Sequence, residues 1–383
     1  MALRARSFFQ AVRRLAPVLL TTLALAACGG TSGQYPQSTL HPKSDFTRMI
    51  DDVFMTTVWW SVVVFVLVEG ALVYVILRYR GKPSDAEVSQ VHGNTTLEII
   101  WTAIPALILA MIAVPTVRAI FRTYEVPKGE AMIVEVTGHQ WWWEFRYPEY
   151  GVVTANELHV PTGRVVTLRM KTADVLHSFW LPQLAAKRDV FPDRATTVWF
   201  RADSAGYYSG QCAEFCGVQH GRMGFHVAAT SPGEFDAYIA GLRGTGAPVP
   251  ADTSARAPTA TATSAGAAGA AGTTVTTLGA QGGQVAAPDS TSPEGKGAKL
   301  FATRGCIGCH TLDATMKASM IGPNLANVGS RKYIGAGMLV NNDDNLARWI
   351  FNPQLIKHGI LMQPMGLTMD EARQVAAYLR THK

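Results

Sequence analysis

Two apolar stretches limit most of what this chain can become. Only Glu69 interrupts the run from Val53 to Leu77, and a second run extends from Leu97 to Ile120. An α-helix needs about 20 apolar residues to cross the hydrocarbon core of a bilayer, so each run is long enough. In lipid a backbone must satisfy its own hydrogen bonds, which makes both runs helices. Pro105 and Pro115 in the second are tolerable where neighbouring helices cover the freed groups. The connection opens Arg78-Tyr79-Arg80-Gly81-Lys82, and the positive-inside rule places it in the cytoplasm. The chain after Arg122 then lies outside the membrane. Trp59, Trp60 and Tyr79 suit an interfacial aromatic belt.

The start of the chain carries an address. Arg4, Arg6, Arg13 and Arg14 precede the apolar run Leu19 to Ala27, which ends Leu25-Ala26-Ala27-Cys28-Gly29. A charged region, an apolar region and small residues before a cleavage point make a secretory signal. A cysteine at the first mature position looks like a bacterial lipoprotein signal, with Cys28 acylated; an uncleaved anchor is the competing reading. The expected organisation is a signal peptide (1–27), an N-terminal segment (28–52), a first span (53–79), a cytoplasmic loop (80–96) and a second span (97–121). Three soluble parts follow at 122–242, 243–291 and 292–383.

Beyond Ala131 the pattern changes to short apolar runs split by Gly, Pro and Asp. Examples are Met132-Ile133-Val134-Glu135-Val136 and Thr196-Thr197-Val198-Trp199-Phe200. Alternation and β-branched residues predict strands of a small sandwich or barrel. Within it Cys212, Cys216, His220 and Met223 fall inside twelve residues, and His177 lies upstream in Asp174-Val175-Leu176-His177. Two thiols, two imidazoles and a thioether select copper over hard cations. One Cys-x-x-x-Cys without a second short-spaced pair is poor for structural zinc. Trp141, Trp142 and Trp143 run consecutively. Side chains alternate across a strand, so at least one of the three belongs at a surface or an interface.

At these residues the chain resembles cytochrome c oxidase subunit II and its binuclear copper centre, CuA. The resemblance implies an all-β cupredoxin-like domain above the transmembrane hairpin. It implies that Cys212 and Cys216 bridge two copper ions, with His177 and His220 as terminal ligands. Met223 and the Glu214 carbonyl would be weak axial ligands, and the Glu214 side chain would touch a magnesium ion shared with subunit I. It implies that Trp141 is the electron-entry residue, whereas simple packing is expected of Trp143. Glu98, at the cytoplasmic mouth of the second span, would mark the entrance of a proton path. A solvated carboxylate at a helix N-terminus is the plain alternative there. Glu69 has no assigned role beyond a partner-facing hydrogen bond.

From Gly241 to about Ser292 the composition collapses to Ala, Thr, Ser, Gly and Pro. No core can form from it, and a coil of roughly fifty residues would span about 35–45 Å. Then comes Cys306-Ile307-Gly308-Cys309-His310, the c-type haem signature: two thioethers and a proximal histidine. Zinc would want further ligands and a thioredoxin-like site a βαβ unit, and neither is present. Ile321-Gly322-Pro323-Asn324-Leu325 follows where class I cytochromes c carry the loop against that histidine. The sixth ligand is expected from Lys357-His358-Gly359-Ile360-Leu361-Met362-Gln363-Pro364-Met365. Fused cytochromes of the family read Lys-Pro-Gly-x-x-Met-Pro, so spacing favours Met362 over Met365. His358 in place of proline and the intervening Gln363 depart from that pattern.

The expectation is therefore a multidomain membrane protein: a two-helix transmembrane hairpin, an all-β cupredoxin-like CuA domain and an all-α class I cytochrome c domain. The resemblance implies covalently bound haem c and copper as cofactors and an electron-input role in a proton-pumping oxidase. Its partners would be oxidase subunits I and III, a cytochrome c-like or bc-type donor and the lipid bilayer. A bacterial cell membrane with both redox domains outside is the implied place. No nucleic acid is expected as a partner, and the net charge of +6 bears only on donor docking. A quinol-oxidase relative would lack the copper ligands, which are all present here. A membrane-anchored electron-transfer module without an oxidase partner is the other rival.

Overall fold

The computed structural model describes residues 35–80, 93–127, 129–244, 289–316 and 321–383. The expected signal peptide, Cys28, most of the expected cytoplasmic loop and most of the 243–291 segment lie outside the described residues.

Helices α1 (Asp45–Arg78) and α2 (Thr95–Tyr124) are both long and apolar enough to span a membrane. Their apolar faces are bare, as lipid-facing helices require. Each start is fixed by a side-chain cap: Ser44 accepts from Thr47 N and Asn94 accepts from Leu97 N. Helix α1 begins at Asp45, ahead of the apolar run, because its first turn docks on the β-domain. Phe46 is buried there and meets the Trp199 ring edge-on at 5.3 Å. Asp45 holds Arg201 through three hydrogen bonds, one from its backbone N–H and two from its guanidinium, and Arg48 pairs with Asp203. From α2, the Thr123 carbonyl accepts from Trp199 Nε1 at 3.2 Å.

The β-domain is a sandwich of two five-stranded sheets. One runs β3 (Val152–Ala155), β2 (Trp142–Tyr147), β1 (Met132–His139), β5 (Val166–Thr172), β8 (Thr196–Phe200). The other runs β4 (Glu157–Pro161), β10 (Gly224–Thr230), β9 (Gly206–Cys212), β6 (His177–Trp180), β7 (Arg188–Val190). Burial alternates along β1, with Met132, Val134 and Val136 facing inward. Trp143, Phe145, Phe179 and Phe225 interlock between the sheets as edge-to-face and stacked rings. Helix α3 (Pro232–Arg243), entered through a Ser231–Glu234 capping box, closes one end.

The C-terminal domain is helical apart from a ribbon of two-residue strands, β11 (Tyr333–Ile334) and β12 (Leu339–Val340). Helices α4 (Pro293–Thr303) and α6 (Met369–Arg380) cross in close contact, and α5 (Asp343–Phe351) packs on α6. Gly297 makes the α4–α6 crossing feasible: a Cβ there would sit 2.0 Å from the Gln374 carbonyl.

This domain docks directly on the sandwich. Val153 N donates to Ala314 O at 2.7 Å and Gly224 N to Ala336 O at 3.0 Å. Glu157 of β4 accepts from Tyr207 OH at 2.6 Å and from Lys332 N at 3.2 Å. Trp142 is buried between His139, stacked on it at 4.1 Å, and Ala336 of the helical domain. Trp142 and Trp143 thus face opposite sides of β2, one toward the second domain and one into the core.

Candidate metal centre and haem cavity

Strands β6 and β9 are neighbours, with Phe179 opposite Cys212. This pairing brings His177, at the start of β6, beside Cys212, at the end of β9. The loop from β9 to β10 turns through a short 3₁₀ segment, His220–Arg222, and delivers Cys216, His220 and Met223 to the same end. Gly138 on β1 leaves room for the His177 ring, since a Cβ there would lie 2.9 Å from His177 Cδ2.

The donor atoms converge. Cys212 Sγ lies 3.8 Å from Cys216 Sγ and 3.8 Å from His177 Nδ1. Cys216 Sγ lies 3.7 Å from His220 Nδ1 and 3.8 Å from Met223 Sδ. The Glu214 carbonyl is 3.3 Å from Cys212 Sγ. Two ligands bound at roughly 2.0–2.3 Å to one ion in a tetrahedral arrangement lie roughly 3.5 Å apart, so these separations suit donors that share ions. Cys212, Cys216, His177 and Met223 are all buried, and among the described residues no cysteine is in a disulfide. The set is soft and dry, and it fits copper.

The electrostatics set the two thiols apart. The Cys216 thiol, helped by His177 and by the Ser178 and Glu214 backbone, holds the Cys212 thiol well below its usual range. The Cys216 thiol is pushed up by Cys212 and by burial, because two adjacent thiolates repel unless a cation lies between them. Burial works to lower His177, but its bonds to Asp174 and Cys212 leave it raised. His177 Nε2 meets Asp174 Oδ1 at 2.8 Å, so Nδ1 is the nitrogen turned to the thiols. Asp174 also accepts from Gln140 N at 2.6 Å. Sequence reasoning quoted Asp174 without giving it a role; its position three residues before His177 was the available signal.

Trp141 bridges this cluster to the second domain. Its Nε1 donates to the Cys216 carbonyl at 2.9 Å, beside Gln140 Nε2 at 2.8 Å on the same oxygen. Its other side lines a cavity of about 350 Å³ together with Cys306, Cys309, His310 and Met362. His310 Nδ1 donates to the Pro323 carbonyl at 2.8 Å, which leaves Nε2 free to face the cavity. Gly322 presses on the same ring, as a Cβ there would approach it within 2.9 Å. Burial lowers His310, keeping the imidazole neutral and ligand-competent. The chemistry of the donors fits a covalently held haem: two thiols and a neutral imidazole at an apolar cavity.

Met362 is half-buried at the cavity wall; Met365 also lines it but is more exposed and rests near Gly305. His358 is exposed, and its carbonyl accepts from Gln219. Glu98 stands in the first turn of α2, 3.0 Å from the place a Gly93 Cβ would occupy, far in sequence from both clusters. Lys357, which the sequence offered only as a spacing mark, is buried against the Trp141 carbonyl.

Comparison with known proteins gives three family matches. Residues 32–119 match the cytochrome c oxidase subunit II transmembrane domain, 152–230 its periplasmic domain, and 295–383 cytochrome c. The chain is 33% identical over 377 residues to cytochrome c oxidase subunit 2 of Alkalihalophilus pseudofirmus, covering 97% of each. It is 29% identical over 378 residues to the Bacillus subtilis protein of the same description, covering 94% of each. Quinol oxidase subunit 2 of Bacillus subtilis is also 29% identical, over 238 residues that make up 60% of this chain and 73% of that one. Among solved structures, the periplasmic domain of subunit II of the Bradyrhizobium japonicum cytochrome oxidase is 31% identical, with a TM-score of 0.29, covering 30% of this chain and 94% of that domain.

Proposed function

The chain belongs to the cytochrome c oxidase subunit II family, with a cytochrome c domain at its C-terminus, and from that premise we propose how its own residues serve electron input to an oxidase. When bound, copper and haem supply one-electron sites of low reorganisation. Cys212 and Cys216 would hold two copper ions together with His177 and His220, with Met223 and the Glu214 carbonyl as weaker ligands. Cys306 and Cys309 would anchor the haem, and His310 and Met362 would be its iron ligands. Electrons enter from an external cytochrome c-like or bc-type donor at the haem domain and leave through the copper domain to subunit I, where oxygen is reduced.

The observation that carries this reading is the position of Trp141, whose ring joins the Cys216 carbonyl to the wall of the second cavity. A shared residue between two redox sites suits relay within one chain. On the same reading Trp141 is the electron-entry residue of the copper domain. The Glu214 side chain contributes to a magnesium site with subunit I, and Glu98 opens a proton path. The protein sits in a bacterial cell membrane with both soluble domains outside, assembled with subunits I and III and anchored also at a lipidated Cys28. A quinol-oxidase role is disfavoured by the complete set of soft donors.

The test is spectroscopic, on the full chain purified in detergent. A mixed-valence binuclear copper signal together with a low-spin, covalently retained haem is expected. Met362→Leu should abolish methionine ligation, and Met365→Leu should preserve it. A mononuclear copper signal, or haem lost on acid–acetone extraction, would overturn the ligand assignment.

A further inference from the structure

Three consecutive residues of the cytochrome domain engage the copper domain. The Ile356 carbonyl accepts from Arg222 Nη1 at 2.9 Å, Lys357 Nζ donates to the Trp141 carbonyl at 2.9 Å, and the His358 carbonyl accepts from Gln219 Nε2. Gly359 then lies so close to Val218 that a Cβ would come within 3.0 Å of it. The segment 356–359, which leads to Met362, is thus laid along the loop that carries Cys216, His220 and Met223.

Lys357 is the unusual member. It is 2% exposed, and among the described residues its ammonium meets only carbonyls, those of Trp141 and, at 3.4 Å, Gly335. A buried cation without a carboxylate partner is costly to fold around, and the carbonyls it meets are what offset that cost. What such a group supplies is register, because its carbonyls must be met at one relative placement of the two domains. Trp141 is held from both sides: its ring nitrogen by the Cys216 carbonyl of the copper loop, its own carbonyl by Lys357 of the haem loop. Gly335, the second acceptor, stands next to Ala336, whose carbonyl takes the Gly224 N–H directly after Met223.

We propose that Lys357 is a positioning residue that locks the haem-bearing loop onto the Trp141 carbonyl and so fixes the geometry between the two redox sites. The proposal deepens the electron-relay reading above and rests on it. Lys357 lines the same cavity as Cys306, His310 and Met362, but its ammonium donates to the Trp141 and Gly335 carbonyls, so it acts through the Trp141 main chain and the docked loops.

The experiment compares wild type, Lys357→Met and Lys357→Gln in the full chain with both cofactors loaded. Two quantities are read: hydrogen exchange of the Gly224 amide, which reports docking, and the haem-to-copper electron-transfer rate after flash reduction of the haem. Lys357→Met should raise Gly224 exchange and slow transfer by about ten-fold or more, since a charge-assisted bond is lost. The copper and haem spectra should stay unchanged. Lys357→Gln, which retains an N–H donor, should recover part of both. Unchanged exchange and rate in Lys357→Met would overturn the proposal. Loss of methionine ligation in both variants would also overturn it, by assigning Lys357 to haem-loop folding. A wild-type chain that lacks either cofactor spectrum would instead refute the relay reading itself, and the Gly224 exchange would still judge the clamp.

Discussion

The imidazole of His226, on β10 of the copper domain, stacks on the ring of Tyr333 of the cytochrome domain with centroids 4.4 Å apart and planes 12° from parallel. Tyr207 stacks on it too, at 4.8 Å, and lies 6.0 Å from Tyr333, while Gly337 comes close enough that a Cβ would lie 3.2 Å from the imidazole. A titratable ring is therefore enclosed at the seam between domains.

That enclosure makes docking sensitive to acid. Burial lowers His226 to about 4, with Glu157 opposing the shift and Lys332 reinforcing it. Tyr207 and Tyr333 are the other groups that face it. Because the docked pKa is below the ordinary value of about 6.5, the docked state binds fewer protons between those limits. Docking stability is then complete above about pH 6.5 and declines as pH falls toward 4. The protection factor of the Gly224 amide, exchange relative to its intrinsic rate at each pH, should fall over that range in the wild type. His226→Phe keeps an aromatic stack without the charge and should flatten the response; a variant that retains the full acid response would refute this account.

Asp174 fixes which nitrogen of His177 faces the thiols, so its loss should be felt at the metal. Removing an outer-shell partner of a ligating histidine typically costs about 10–100-fold in metal affinity. Asp174→Ala should lower copper affinity by that order in a chelator competition, and Asp174→Asn, which keeps an acceptor oxygen, by less. Equal affinity in all three proteins would count against the assignment of His177 as a ligand.

The cytochrome core depends on the close crossing at Gly297. A Cβ there would collide with the Gln374 backbone, which no rotamer change can relieve. Overpacking of this kind costs about 1–3 kcal/mol. Gly297→Ala should lower the thermal midpoint of the cytochrome domain by several degrees on the usual scale for a domain of this size. The copper signal should be unchanged. Calorimetry of the full chain can resolve the two transitions.

The two spans, the donor cluster and the haem motif were legible because each is local: periodicity, softness of ligands and short spacing are written in contiguous residues. The sandwich was legible in outline from alternation such as that of Met132 to Val136. The seam was not. Tyr333 against His226, or Lys357 against Trp141, joins residues far apart in sequence, and their complementarity appears only once two domains meet. Asp174 was half visible, three residues from a histidine in a turn. The helical first turn at Asp45–Arg48 escaped a hydropathy reading because it is polar, held by a Ser44 cap and by Arg201 instead of by lipid.

That first turn has a consequence for the whole assembly. With Phe46 under Trp199 and the Thr123 carbonyl on the same indole, both membrane helices grip one residue of β8. The copper cluster consequently stands at a fixed altitude and azimuth over the bilayer, like an instrument bolted to two legs. One residue inserted in α2 ahead of Thr123 would turn that span about 100° out of phase with the platform. Any partner that receives electrons from it can be built to a set reach.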